Sequence, residues 1–356
     1  MTSRILEESE QPAWDEWLRG VDGANLRQTS PYRSGLALYG HRSEILVLED
    51  SSGFVAGALL GIKSPLSLGA PLVHASGGLA LTEPSSPAQL RALLDALLDR
   101  CSELKASSVE LYSRIVHTFG DEPNPAAPAL EAVLRDCKFE PSGSSETYQI
   151  DLSKDSDEAL LESFTKNKRR DIRKALREGL EVERVLDPAE FAAFGETHRL
   201  MCLRKGLDAF APGFSEQVLR PMALAGHCDL FVARFRGTVR NFLLVGTTNM
   251  PTYTWGSLAE AAREPGCPPT GEALQFFAMC RYRAMGKPAY DLGGTPGPVP
   301  ESSHPNYHVW KFKYEFGGRH VKLMGSWKRS LRPAAVALID LGRSALDLRR
   351  RLSRKQ

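Results

Sequence analysis

Long apolar runs are missing from this chain. None reaches the roughly twenty residues that a membrane-spanning helix needs, and the nearest, Pro333–Leu341, is short and interrupted by Asp340. Net charge is nearly absent too: 45 Lys and Arg balance 43 Asp and Glu, leaving +2. That excludes a surface holding polyanions by overall charge, so any nucleic-acid or membrane contact depends on local patches. Cysteines 101, 137, 202, 228, 267 and 280 form no Cys-x-x-Cys pair and no metal-type spacing with histidine, which points to a reducing compartment. The start, Met-Thr-Ser-Arg-Ile-Leu-Glu-Glu-Ser-Glu, is polar and acidic where a secretory signal is basic and then apolar. A cytoplasmic protein is expected. Also missing are a Gly-x-x-x-x-Gly-Lys-Ser/Thr loop, a dinucleotide fingerprint, His-Glu-x-x-His and a Gly-x-Ser-x-Gly elbow. No cofactor and no metal are therefore expected, and none of the eight scattered histidines is assigned a role.

What is present suffices for a large core. At 356 residues and 42% hydrophobic, the chain is longer than one ordinary domain, and two are expected. Periodicity predicts short helices at 12–18 and 31–39, each with proline near its first turn, then an antiparallel hairpin of Glu44–Glu49 and Phe54–Ile62. Ser64–Gly78 reads as loop; Pro87–Leu104 is a helix, Val109–Tyr112 a strand, Pro128–Lys138 a helix and Thr147–Leu152 a strand. A strand at Glu181–Val185 and helices at Pro188–Arg204 and Phe214–Ala225 follow. A second hairpin, Asp229–Arg234 with Val239–Thr247, leads to a strand at Thr252–Trp255, a helix at Gly271–Met285 and a strand at Ala289–Leu292. Both halves are α/β and share one order of elements without a readable sequence repeat. The end, 333–355, reads as a helix closing in Arg349, Arg350, Arg351, Arg354 and Lys355.

Three stretches could carry chemistry. Lys166–Gly179 has seven cations in fourteen residues, with Ile172, Ala175 and Leu176 at helical spacing. It reads as an amphipathic helix with an outward basic face, Thr165 as N-cap and Gly179 as stop. Tyr290-Asp291-Leu292-Gly293-Gly294 is a strand ending in two glycines, a composition that admits close backbone approach to a ligand. Trp310-Lys311-Phe312-Lys313-Tyr314-Glu315-Phe316-Gly317-Gly318 anchors aromatics on a helix with Lys313 beside them. Taken singly, these are equally a solvated helix face, a turn and a glycine-capped core helix.

In order and spacing, however, the basic helix following the Thr147–Ser153 strand, the Tyr-Asp-Leu-Gly-Gly end and the Phe-Lys-x-x-Phe-Gly-Gly segment resemble the FemABX family over roughly residues 25–325. These enzymes move an amino acid from aminoacyl-tRNA onto an amine of a peptidoglycan precursor. The resemblance implies an α/β protein of two tandem GNAT-like (acyl-CoA N-acyltransferase-like) domains with mixed, largely antiparallel sheets. Their bounds are 1–150 and 151–325, and 326–356 packs back on the first. It implies an electrostatic catalytic role for Lys313 and substrate contacts for Asp291, Gly293 and Gly294. Arg204, in Arg204-Lys205-Gly206, matches a contact to acceptor phosphate, and Lys168, Arg169, Arg170 and Arg173 are candidates for the tRNA backbone.

One departure stands out. Where family members carry Gln-Ser-x-x-Trp-x-x-x-Lys to hold a nucleotide diphosphate, this chain has Gln28-Thr29-Ser30-Pro31-Tyr32-Arg33-Ser34-Gly35-Leu36. Tyr32 and Arg33 are left as the acceptor contacts there. The implied partners are aminoacyl-tRNA as donor and, as acceptor, a peptidoglycan precursor or small-molecule amine, with peripheral membrane contact through the basic tail. An acyl-CoA-dependent N-acyltransferase and a non-catalytic RNA- or envelope-associated protein are the alternatives; the sequence lacks the Gln/Arg-x-x-Gly-x-Gly/Ala pyrophosphate loop that the first of these would use.

Overall fold

The computed structural model describes residues 1–64, 70–297, 299–339 and 341. Alternation of apolar and polar residues builds the first half around Thr2–Ile5 (β1) and the helices Gln11–Arg19 (α1) and Tyr32–Leu38 (α2). The hairpin Arg42–Asp50 (β2) and Gly53–Lys63 (β3) follows, turned by Gly53 at φ +114°. Leu72–Leu81 (β4), Pro87–Glu103 (α3), Ser108–Phe119 (β5), the short Glu122–Pro123 (β6), Ala127–Asp136 (α4) and Glu140–Asp151 (β7) complete it. Trp14, Leu18 and Leu36 from α1 and α2 pack on Ile45, Val47 and Leu59. On the opposite face α3 and α4 bury Leu93, Leu97, Leu130 and Leu134, each such leucine contributing about 1.5–3 kcal/mol.

The second half repeats the plan with Asp157–Glu162 (α5), Lys166–Arg177 (α6), Glu181–Val185 (β8) and Pro188–Lys205 (α7). A π turn at Ser215–Leu219 runs into Arg220–Leu224 (α8), where one helix was expected over Phe214–Ala225. The hairpin Cys228–Phe235 (β9) and Thr238–Gly246 (β10), then Thr252–Leu258 (β11), Thr270–Ala284 (α9), Ala289–Asp291 (β12), Tyr307–Tyr314 (α10) and Arg319–Ser330 (β13) follow.

The strands form one sheet in the order β1-β2-β3-β4-β5-β13-β7-β12-β11-β10-β9-β8. Read outward from the central β13–β7 pair, both halves run alike. Each contains one parallel pair, β4 with β5 and β11 with β12, among antiparallel neighbours. The strand that follows α4, β7, pairs with β12 of the second half, and the strand that follows α10, β13, pairs with β5 of the first. The fold is thus α/β with a single, largely antiparallel sheet covered by helices on both faces.

Two expectations change. The loop expected over Ser64–Gly78 is strand from Leu72 onward, where β4 begins, and Gly77 and Gly78, at φ +70° and +105°, form a bulge. β13 is not predicted by periodicity because Lys322, Gly325, Ser326 and Lys328 dilute its apolar alternation. The basic residues of the tail lie outside the described residues, within which no helix is long and apolar enough to cross a membrane.

Candidate active site

Among the described residues, β11 and β12 pair only at Thr252 and Asp291. Beyond β12 the chain turns at Gly293, whose φ of +71° favours glycine and where a Cβ would lie 2.5 Å from the Tyr253 carbonyl oxygen. Asp291 holds the turn. Its fully buried carboxylate accepts from Arg114 Nη2 (2.8 Å), Thr147 Oγ1 (2.5 Å) and the Gly293 N–H (2.7 Å).

Against this turn lies α10. Trp310 and Tyr314 stack with ring centroids 4.9 Å apart, Phe312 and Phe316 dock edge-to-face, and Gly317 ends the segment at φ +72°. Lys313 is thereby carried into the interior, where its ammonium donates to the Gly294 carbonyl at 2.6 Å and sits 5.3 Å from the Tyr253 ring centroid. Burial brings its pKa down to about 8, against the opposing pull of the Asp291 carboxylate. A β-bulge at Thr254 shapes the same wall: Val245 faces Tyr253 while Leu244 faces Trp255. The extra residue sends Tyr253 to the α9 face and Trp255 to the α7 face, although simple alternation places them together.

Two cavities meet here. One, of about 450 Å³, lies between the halves and is lined by Arg27, Tyr32, His74, Arg114, Tyr253, Gly293 and Gly294 among others. Buried Thr248, whose hydroxyl has no partner among the described residues, also lines it. The other, of about 760 Å³, opens at the start of α9 and is lined by Lys174, Lys205, Ser257, Thr270, Gly271 and Lys313, with Tyr253 again part of the wall. No side chain caps α9, so its leading N–H groups are left for another acceptor.

The remaining candidates are scattered. The outward basic face expected of α6 is corrected at Lys168, which shares the buried stripe of Ile172 and Ala175. Its ammonium is balanced by Glu272 (2.8 Å) and Glu315 (3.7 Å) and lies 4.1 Å from the Phe312 ring centroid. Arg169 donates to the Glu162 and Phe164 carbonyls, Arg170 pairs with Asp171, and Arg173 with Glu158 and Glu162. Thr165 occupies the N-cap position, but its hydroxyl donates to the Glu315 carbonyl; Gly179, at φ +81°, lies just beyond the helix end as expected. Tyr32 lines the 450 Å³ cavity, while Arg33 on the same helix turns to Ser43. Arg204 pairs with Glu260 at 3.0 Å and the Leu258 carbonyl at 3.2 Å, so the structure does not bring it to Tyr32 and Arg33.

Sequence reasoning did not single out Arg114, Tyr253, Lys174 or Lys205. An arginine within the apolar run Leu111–Val116 is the one signal that pointed to the first of these.

No protein-family profile matches the sequence, and neither does any curated protein. Among solved structures, FemX superposes with a TM-score of 0.79 at 18% identity, covering 95% of this chain and all of that one. The L-PGS structure from Bacillus licheniformis gives 0.56 at 15% identity (94% and 95% covered). A tandem GNAT protein from the clavulanic acid biosynthesis pathway gives 0.53 at 15% identity (92% and 98% covered). The chain therefore has the tandem GNAT fold, in the arrangement seen in FemX.

Proposed function

We propose that the protein is an aminoacyltransferase that moves an aminoacyl group from aminoacyl-tRNA to an amine acceptor, forming an amide. One observation carries this reading: two separate cavities share Tyr253 as a common wall, with Gly293 and Gly294 lining one and Lys313 the other. A two-substrate transfer needs such a meeting point, with each reactant held in its own compartment and the reacting atoms brought together. The donor's acylated end enters the 760 Å³ cavity, whose lining includes Lys174 and Lys205 and which opens on the uncapped start of α9. Both features suit the phosphates of a nucleic acid. The amine enters the 450 Å³ cavity.

The neutral amine attacks the ester carbonyl, a C–N bond forms, and negative charge develops on the carbonyl oxygen. The Lys313 ammonium, held by the Gly294 carbonyl with two N–H groups to spare, stabilises that charge. As the C–O bond breaks, the departing ribose oxygen gains a proton and the amine sheds one. A lysine whose pKa burial lowers to about 8 is poised to give its proton to that oxygen and take up the amine's in turn. On the acceptor side Leu36 lines the cavity at the position where the resembling family carries lysine, which favours a peptidoglycan-derived or small-molecule amine whose recognition does not centre on a diphosphate there.

The test is label transfer from charged tRNA pools to amine acceptors, with acetyl-CoA as a parallel donor. Ribonuclease treatment of the donor is expected to abolish transfer; label that survives it, or arrives only from acetyl-CoA, overturns the tRNA reading. Lys313→Ala is expected to slow transfer about 10²–10³-fold while leaving donor binding near wild type. Because the charged lysine acts, the rate should fall as pH rises through about 8. Lys313→Arg, which keeps its charge, should lose that limb.

A further inference from the structure

We propose that Arg114 is a positioning residue that, from the acceptor side of the site, sets the turn presenting Lys313. It rests on the transfer reading for its meaning in catalysis, but its geometry stands apart. Arg114 belongs to β5 in the first half, and its Nη2 lies 2.8 Å from Asp291 Oδ2 in the second, across 177 residues of sequence. β5 and β12 are three places apart in the sheet, a separation of about 14 Å in a flat sheet and beyond the reach of one arginine. Beside Arg114, β13 departs from regular register between Leu323 and Ser326, with Gly325 at φ +73°.

From Asp291 the connection continues without a gap. Its other oxygen takes the Gly293 N–H, Thr147 Oγ1 lies 2.9 Å from the Gly293 carbonyl oxygen, and the Gly294 carbonyl takes Lys313. Arg114 itself lines the 450 Å³ cavity and a second cavity of about 450 Å³ bounded by Asp22, Gln149 and Lys287. Its side chain is 16% exposed and that of Asp291 fully buried. The guanidinium is thus the cation in direct contact with this interior carboxylate, which Lys313 faces only at longer range, and the turn that carboxylate grips depends on it. A residue that lines the acceptor cavity and, through Asp291, holds the turn whose Gly294 carbonyl takes Lys313 is placed to keep Lys313 aligned.

The experiment compares Arg114→Ala and the milder Arg114→Lys in the full chain, with and without millimolar guanidinium. For Arg114→Ala, kcat is expected to fall about 10²-fold with donor KM within twofold, and guanidinium should restore at least tenfold. Arg114→Lys should lie between. A second readout needs no turnover: the rate at which Lys313 is labelled by an amine-reactive reagent, located by mass spectrometry. That rate should change at least threefold in Arg114→Ala and return with guanidinium. If wild type transfers nothing while labelling responds in this way, the transfer reading falls and the positioning role stands. If wild type transfers and Arg114→Ala changes neither kcat nor labelling, or only lowers thermal stability, the positioning role is overturned.

Discussion

The two halves of the sheet follow one order of strands and differ where a helix begins. In both, a bulged strand, β4 or β11, belongs to the parallel pair and leads to the helix. In the first half, α3 opens at Pro87 and the Ser86 hydroxyl accepts the Gln89 N–H at 3.3 Å. In the second, α9 opens after Pro268-Pro269 with no side-chain cap, and its start lines a cavity with Lys174, Lys205 and Lys313. A capped helix start has satisfied part of its own demand; an uncapped one with cations nearby attracts an anion. The two frames are similar, and the proposed chemistry is assigned to the one whose helix start is open.

The largest break in this comparison should come from the two glycines after β12, which look interchangeable in sequence. At Gly293 a Cβ meets the Tyr253 carbonyl oxygen at 2.5 Å and φ is +71°; at Gly294 nothing lies within 4 Å of an added Cβ and φ is not in the left-handed region. Gly293→Ala is expected to cost about 1–3 kcal/mol of stability and, by moving the carbonyl that holds Lys313, to slow transfer about 10²-fold. Gly294→Ala should fold as wild type. Denaturant melts with single-turnover rates check this, and equal losses in both variants would mean that backbone strain at Gly293 does not set the turn.

A smaller effect separates the lysines of the open half from the arginines of α6. Lys174 and Lys205 line the cavity, whereas Arg169 and Arg173 are engaged by Glu158, Glu162 and the carbonyls ending α5. The double variant Lys174→Glu/Lys205→Glu should weaken donor binding about tenfold or more and flatten its salt dependence. Arg169→Ala/Arg173→Ala should change either by less than twofold. Filter binding over a salt series decides, and the reverse pattern would move the donor to the Arg169 and Arg173 side of α6.

Much of this frame is legible in the chain. Both hairpins, the strand Glu181–Val185 and the helix ended by Gly179 follow from local periodicity and turn chemistry, because each is decided within a few residues. β4 and β13 are not legible, since glycines that form bulges resemble loop glycines and lysines thin the alternation of β13. The site divides in the same way. Lys313, Gly293 and Gly294 stand out as short motifs, but the Arg114–Asp291 pair spans 177 residues, and the arginine amid Leu111–Val116 does not by itself reveal its partner. The surroundings of the cations in α6 are illegible for a related reason. Sequence shows seven cations but not the glutamates of α5 folded against them, nor that Lys168 lies on the buried stripe and finds Glu272 across the interior.

The smallest effects sharpen the comparison most directly, because they exchange the state of the two helix starts. Ser86→Ala removes the cap on α3 and should cost about 1 kcal/mol of stability, with transfer unchanged within twofold, since that start holds no substrate in the proposed reading. Pro269→Ser places a capping hydroxyl at the N-cap of α9, within reach of the N–H groups assigned to the donor. A cap there should stabilise the helix by up to about 1 kcal/mol and weaken donor binding severalfold, because the hydroxyl competes with phosphate for the same donors. Stability and affinity would then move in opposite directions in one variant. If Pro269→Ser is stabilised and its donor KM does not change, the open start of α9 is a feature of the fold rather than of the site, and the asymmetry between the halves must lie in the lysines alone.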